Sequence, residues 1–257
     1  MKEQFQNFTG SSKDFINELE LCIDNNKPLS LCRIGDGEVA ILNKVSNVHI
    51  DDMARRWGYD GNTVELIKDA RASILNCIKN SDWIGVIGPT PFIKAWHKKG
   101  TVKSSWYLDT KFVKESGRIK PIKAVDAFIP RSLELGNIAQ FKKLLKGKNI
   151  AIISPETEGL IKRDISKKLG CKINYIDVPK NCNIKERSKI LNTIKNNIPE
   201  HIVLTAWSLL GKDINHILYQ EGKICLDMGA VIATWAGRQT RWDFGVDGPH
   251  NHCFILD

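Results

Sequence analysis

Leu29-Ser30-Leu31-Cys32-Arg33-Ile34-Gly35-Asp36-Gly37-Glu38-Val39-Ala40-Ile41-Leu42 reads as a strand, a turn and the start of a helix. Leu29 to Cys32 is a short apolar run, which predicts a buried strand over 29–34. Val39 to Leu42 supplies the first turns of a helix. An arginine and two carboxylates therefore stand at the carboxyl end of a strand, where open α/β sheets place their ligands. Gly35 and Gly37 flank Asp36 and are read as allowing a tight turn and close backbone approach. Asp36 and Glu38 offer hard oxygen ligands suited to Mg²⁺ or Mn²⁺. Arg33 offers a planar donor fork suited to phosphate. Alone, an Asp at such a position only caps a helix. Arginine, paired glycines and paired acids together point instead to an enzyme that handles a diphosphate.

Outward from this stretch the pattern stays α/β. Ser11 to Asn25 is predicted helical, with Ser11 and Asp14 resembling a capping box. Thr63 caps a helix to about Asn80. Trp83 to Ile87 is a strand ending in Gly88-Pro89-Thr90-Pro91, where Gly88 and Thr90 line a phosphate pocket or form a plain turn. Candidate strands at 102–107 and 121–128 flank a short helix, and 131–146 is read as a helix. Then strands 149–153, 172–176, 201–205 and 223–227 alternate with helices 156–169, 184–197 and 211–220. This alternation predicts a Rossmann-like α/β fold, its mostly parallel sheet covered by helices on both faces. No linker or repeat divides the chain, so a single domain over 1–257 is expected.

The chain has 257 residues and a net charge of +9. Nucleic acid, an anionic membrane surface or an anionic small substrate would each suit that charge. No helix-turn-helix, zinc-finger or aromatic RNA-binding motif is present, so nucleic acid is not expected as a partner. No apolar stretch approaches the ~20 residues of a membrane span. The N-terminus lacks the apolar core of a signal peptide. A cytoplasmic protein is expected, with peripheral contact to the inner membrane face compatible with the charge. The seven cysteines include no Cys-x-x-Cys pair and are read as buried free thiols.

The segment LSLCRIGDGEVAIL resembles the Arg-x-Gly-Asp-Gly-Glu opening of bacterial GT-D type glycosyltransferases. Trp83 to Gly88 resembles the second strand of that family, and Cys225-Leu226-Asp227-Met228-Gly229 its closing strand. The resemblance implies a metal-dependent glycosyltransferase of hexosyltransferase type. Asp36 and Glu38 would hold Mn²⁺ or Mg²⁺ on the diphosphate of a nucleotide-sugar donor, typically a UDP-sugar. Arg33, Gly35, Gly37, Gly88 and Thr90 would contact the donor. The acceptor would be a glycan, a glycoprotein or a lipid-linked saccharide.

The tail departs from the family. Ala230 stands where many members carry His, and Ala233 where a variant tail carries an acid. That leaves Asp227, Arg238 and Arg241 as the candidate catalytic set. The two arginines clamp phosphate or an anionic acceptor, or they are solvated residues of a surface turn. On the first reading, residues 235–252 fold over the carboxyl edge of the sheet. A non-catalytic nucleotide- or glycan-binding module on the same frame is the alternative.

Overall fold

The computed structural model describes residues 10–44, 50–51, 54–55, 59, 62–86, 108–120, 123–126, 138–180 and 186–238. Strand β1 (Leu29–Ile34) is followed by β2 (Trp83–Val86), β3 (Lys123–Asp126), β4 (Asn149–Ser154), β5 (Lys172–Asp177), β6 (Ile202–Thr205) and β7 (Ile224–Asp227). They form one sheet in the order β3-β2-β1-β7-β6-β4-β5. Every pairing is parallel, with β1 beside both β2 and β7. Continuous apolar strands such as Ile150 to Ile153 are what a sheet buried on both faces requires.

Side-chain alternation splits the core into two layers. Cys32, Ile34, Ala151, Ile153, Val203 and Cys225 face one layer. There they meet α2 (Asp36–Leu42), α3 (Thr63–Asn80), α4 (Thr110–Glu115), α8 (Arg187–Asn196) and α9 (Ser208–Gln220). Leu29, Leu31, Ile150, Ile152, Leu204 and Leu226 face the other. That layer holds α1 (Ser12–Asp24), α5 (Ile138–Leu145), α6 (Thr157–Lys162), α7 (Ile165–Leu169) and α10 (Ala230–Trp235). Phe15 and Trp83 meet edge to face in it, at 5.5 Å.

Local chemistry sets several boundaries. Ser11 Oγ accepts the Asp14 N–H at 3.2 Å, and Asp14 Oδ2 accepts the Ser11 N–H at 2.8 Å. Asp thus closes the capping box usually completed by Glu or Gln. The helix expected over 156–169 is two helices. Asp164 adopts a left-handed φ of 50° and caps α7 by accepting the Lys167 N–H at 3.3 Å. A side chain able to tolerate that conformation and to cap is a stop and a start in one residue. The strand expected at 121–128 spans Lys123–Asp126 among the described residues, and the helix expected over 131–146 begins there at Ile138. The strand expected at 102–107 lies outside them. The chain after β7, where no helix was expected, forms α10. Cys22, Cys32, Cys77, Cys171 and Cys225 are buried free thiols; Cys182 and Cys253 lie outside the described residues. Among the described residues no helix is long and apolar enough to cross a membrane.

The sheet order places two special points on the carboxyl edge. Strands β1 and β7 are paired neighbours, yet β1 leads into α2 on one face and β7 into α10 on the other. Chain exits that diverge this way leave a crevice between the strand ends. Strands β6 and β4 are also neighbours, leading into α9 and α6 on opposite faces.

Candidate active site

The crevice between β1 and β7 gathers charged side chains from four separate stretches. Asp227 ends β7, and its Oδ2 accepts the backbone N–H of Arg33 on β1 at 3.2 Å. The same oxygen accepts a hydrogen bond from Lys212 Nζ at 3.1 Å. Lys212 Nζ also lies 3.0 Å from Glu38 Oε1. The other Glu38 oxygen, Oε2, accepts the Gly35 N–H at 2.9 Å. One ammonium therefore joins the acid that follows β1 to the acid that ends β7. Lys212 is only 3% exposed, on α9.

The electrostatics follow from that burial. Desolvation works to lower the Lys212 ammonium, but Asp227 and then Glu38 carry it well above its ordinary value. Desolvation likewise works to raise the Glu38 carboxyl. The Lys212 charge and hydrogen bond outweigh it and hold the group below its ordinary range. Both groups are thus ionised at neutral pH, and the low local dielectric strengthens their attraction.

Arg33 approaches from the other layer. Gly229, just after β7, has φ 53° and ψ −134°. A Cβ at that position would stand 1.7 Å from Arg33 Nη1 and 2.9 Å from its Cζ. The guanidinium occupies the space that a side chain at 229 would fill. Here glycine is required twice, by conformation and by room.

The glycines of the opening motif behave differently. Gly35 has φ −88°, and Gly37 lies inside α2 with no positive φ. Neither uses the left-handed freedom that a tight turn would need, which corrects that half of the sequence reading; the close approach holds at Gly35, where a Cβ would stand 3.0 Å from Glu38 Oε2. A Cβ at Gly37 would meet nothing within 4 Å. Gly37→Ala is therefore expected to raise stability by about 0.5–1 kcal/mol through helix propensity. Denaturant unfolding checks this, and a loss of stability would show a constraint at Gly37 that the fold alone does not impose.

The remaining candidates are placed as follows. Asp36 opens α2, but its side chain lies outside the described residues, as do Gly88, Thr90 and Arg241. Arg238 follows α10 and forms an ion pair with Glu156, the residue that precedes α6. Lys212 was not among the residues singled out from sequence. Its signal was present all the same, as a lysine within the buried stripe Leu209, Leu210, Ile214 and Leu218.

Fitness for a divalent cation turns on charge. Arg33 and Lys212 balance Glu38 and Asp227, and Asp36, at the start of α2 in the sequence, adds one further acid to this stretch of chain. A diphosphate would meet repulsion in such a set unless further positive charge arrived with it, so the donor set suits a divalent ion. Glu38 is committed to Lys212 and Gly35, which fits contact with an ion through water better than direct ligation. Among the described residues no three His, Cys, Asp or Glu side chains cluster around one point.

A family described as a GT-D fold-like domain matches residues 11–235. No curated protein matches the chain. Two solved structures of the domain of unknown function 1792 superpose with TM-scores of 0.56 and 0.55 at 16% identity. Each covers 86% of this chain and 77% of its own, and one is described as a distinct glycosyltransferase fold. A glycosyltransferase with that domain from Streptococcus sanguinis superposes with a TM-score of 0.54 at 17% identity. The match covers 92% of this chain and 90% of that one. At these identities the structures establish a shared fold. With the family match spanning α1 to α10, the chain belongs to the GT-D-like family.

Proposed function

We propose that the protein is a glycosyltransferase that takes its sugar from a nucleotide-sugar, a UDP-sugar being the expected donor. The observation that carries this reading is the convergence of Arg33, Glu38, Lys212 and Asp227 in the β1/β7 crevice. The family's fold gives it the enzyme class.

Each residue has a separate task in this reading. Arg33 presents a planar fork to the diphosphate. Lys212 fixes Glu38 and Asp227 in place, so that no reorganisation is needed as charge develops on the leaving group. Asp227 holds the Arg33 backbone and so registers the arginine against Gly229. Asp36, with Glu38 through water, would hold Mn²⁺ or Mg²⁺. When bound, such an ion neutralises charge that grows on the diphosphate as the glycosidic bond breaks. Stabilisation that grows with this charge lowers the barrier, whereas uniform binding does not. The acceptor would be a glycan, a glycoprotein or a lipid-linked saccharide.

Calorimetry of UDP binding with and without Mn²⁺ tests the reading. The wild-type chain is expected to bind UDP more tightly with Mn²⁺. Asp36→Asn is expected to lose at least tenfold in that affinity, about 1.4 kcal/mol, with its thermal transition unchanged. Equal affinity in the two proteins rejects the metal role of Asp36. No UDP binding under either condition rejects the donor assignment. Tight binding without release of UDP from any UDP-sugar identifies a binding module instead of an enzyme.

A further inference from the structure

The second divergence on the carboxyl edge, between β6 and β4, has its own chemistry. Ser154 ends β4 and is fully buried, and its Oγ accepts the Glu156 N–H at 3.1 Å. Thr157 Oγ1 donates to Asp177 Oδ1, at the end of β5, at 2.7 Å. These two bonds fix the turn that carries Glu156. The Glu156 side chain is 12% exposed and pairs with Arg238, itself 49% exposed. Beside them opens a cavity of about 210 Å³, lined by Glu156, Glu158, Lys162, Arg238, Pro155 and Ala236 among others.

Charge separates the two sites. The four ionised groups of this cavity sum to zero, two acids against two bases. Nothing in it favours a second anion. Carboxylate and guanidinium side by side instead offer acceptors and donors to a neutral, hydroxyl-rich molecule. The crevices lie two strand spacings apart along the sheet edge, roughly 10 Å, a gap that the diphosphate and sugar ring of a seated donor can bridge.

We infer that this cavity is the acceptor subsite, taking a neutral saccharide, and that Glu156 is the base for the attacking hydroxyl. The inference rests on the glycosyltransfer reading above. In the step, the acceptor oxygen forms a bond to the anomeric carbon as its proton passes to Glu156. The bond from that carbon to the diphosphate oxygen breaks, and its electron pair leaves with the nucleoside diphosphate. Arg238 holds the carboxylate until the acceptor hydroxyl replaces it. Burial lifts the Glu156 carboxyl above its ordinary value, and Arg238 offsets that only in part. A carboxylate moved toward neutral pH is a better proton acceptor than an ordinary one.

The test uses the full chain with Mn²⁺ and an equimolar mixture of UDP-glucose, UDP-galactose and UDP-N-acetylglucosamine. UDP release is measured with water alone and with neutral methyl glycosides as acceptors, and UDP affinity is measured separately. Glu156→Gln is expected to cut UDP release at least a hundredfold, with UDP affinity within twofold of wild type and an unchanged thermal transition. Glu156→Asp is expected to keep partial activity and to move the acidic limb of the kcat/KM profile. Wild-type release by Glu156→Gln overturns the inference and leaves the donor reading standing. A tenfold loss of UDP affinity in that variant also overturns it, because Glu156 would then belong to the donor site. A wild-type chain that neither binds UDP nor releases it overturns the inference and the donor reading together.

Discussion

Lys212→Met lowers stability by about 3–5 kcal/mol and weakens UDP binding more than about a hundredfold: that is the outcome expected from the buried ammonium. The substitution keeps most of the side-chain volume, so packing is not the cause. It strands Glu38 and Asp227, two carboxylates that share one cation at 3.0 and 3.1 Å. Removing one partner of a buried ion pair costs far more than the pair contributes net, because the surviving charge stays desolvated.

The pH dependence separates this account from a packing defect. In the wild type Glu38 is depressed below 4.5 and Lys212 is raised above 10.5. A depressed carboxyl adds stability above its unfolded value and loses it as pH falls through the folded one. A raised ammonium adds stability below its unfolded value and loses it as pH rises through the folded one. The pair's contribution is therefore flat across neutral pH. In Lys212→Met the Glu38 carboxyl keeps its desolvation and loses the charge that lowered it, so it is raised instead, and the variant should gain stability as pH falls from neutral toward the ordinary carboxyl range. Urea unfolding across that interval reads the slope. A flat profile in the variant would show that the acids never depended on Lys212.

Gly229→Ala should cost about 1–3 kcal/mol of stability and most of the donor affinity. The backbone at 229 combines φ 53° with ψ −134°, which an L side chain adopts only under strain. The new methyl would also stand 1.7 Å from Arg33 Nη1. A guanidinium at the end of a flexible chain can move aside, so the fold should survive while the fork leaves the crevice. UDP calorimetry beside a thermal melt distinguishes the two effects. Unchanged affinity in a destabilised variant would mean that Arg33 does not bind the donor.

The opening motif was legible because a strand, a turn and a helix meet there in consecutive residues, with charges interrupting an otherwise apolar run. The predicted strand at 29–34 has the observed bounds, and six of the other seven expected strands join it in one parallel sheet, 102–107 lying outside the described residues. Lys212 was hidden for the opposite reason. Its partners Glu38 and Asp227 come from other elements, α2 and β7, and a lysine in a helix reads as solvated until the packing is known. Arg238 was singled out from sequence, but its pairing with Glu156 was not, because every element from α6 to α10 lies between the two in the chain. Glycines were misassigned because sequence shows their presence but not their dihedrals. The motif pair at 35 and 37 drew the attention, while Gly229 carries the strained backbone.

One short element joins these sites. Helix α10 starts at Gly229 beside Arg33 and ends near Gly159 of α6, where a Cβ at 159 would stand 2.6 Å from the Ala236 carbonyl oxygen. Six residues of helix measure about 9 Å, and both ends are pinned by contacts too close for any larger residue. The protein thus carries a built-in gauge block. Loops can be lengthened or recoloured around it, but the spacing from Gly229, beside Arg33, to Gly159, on the helix that follows Glu156, is set by the length of this helix. A relative that served a bulkier pair of reactants would have to add or remove helical residues here, in whole steps of 1.5 Å and 100°. The gap between reacting partners in such an enzyme would change by increments, not by degrees.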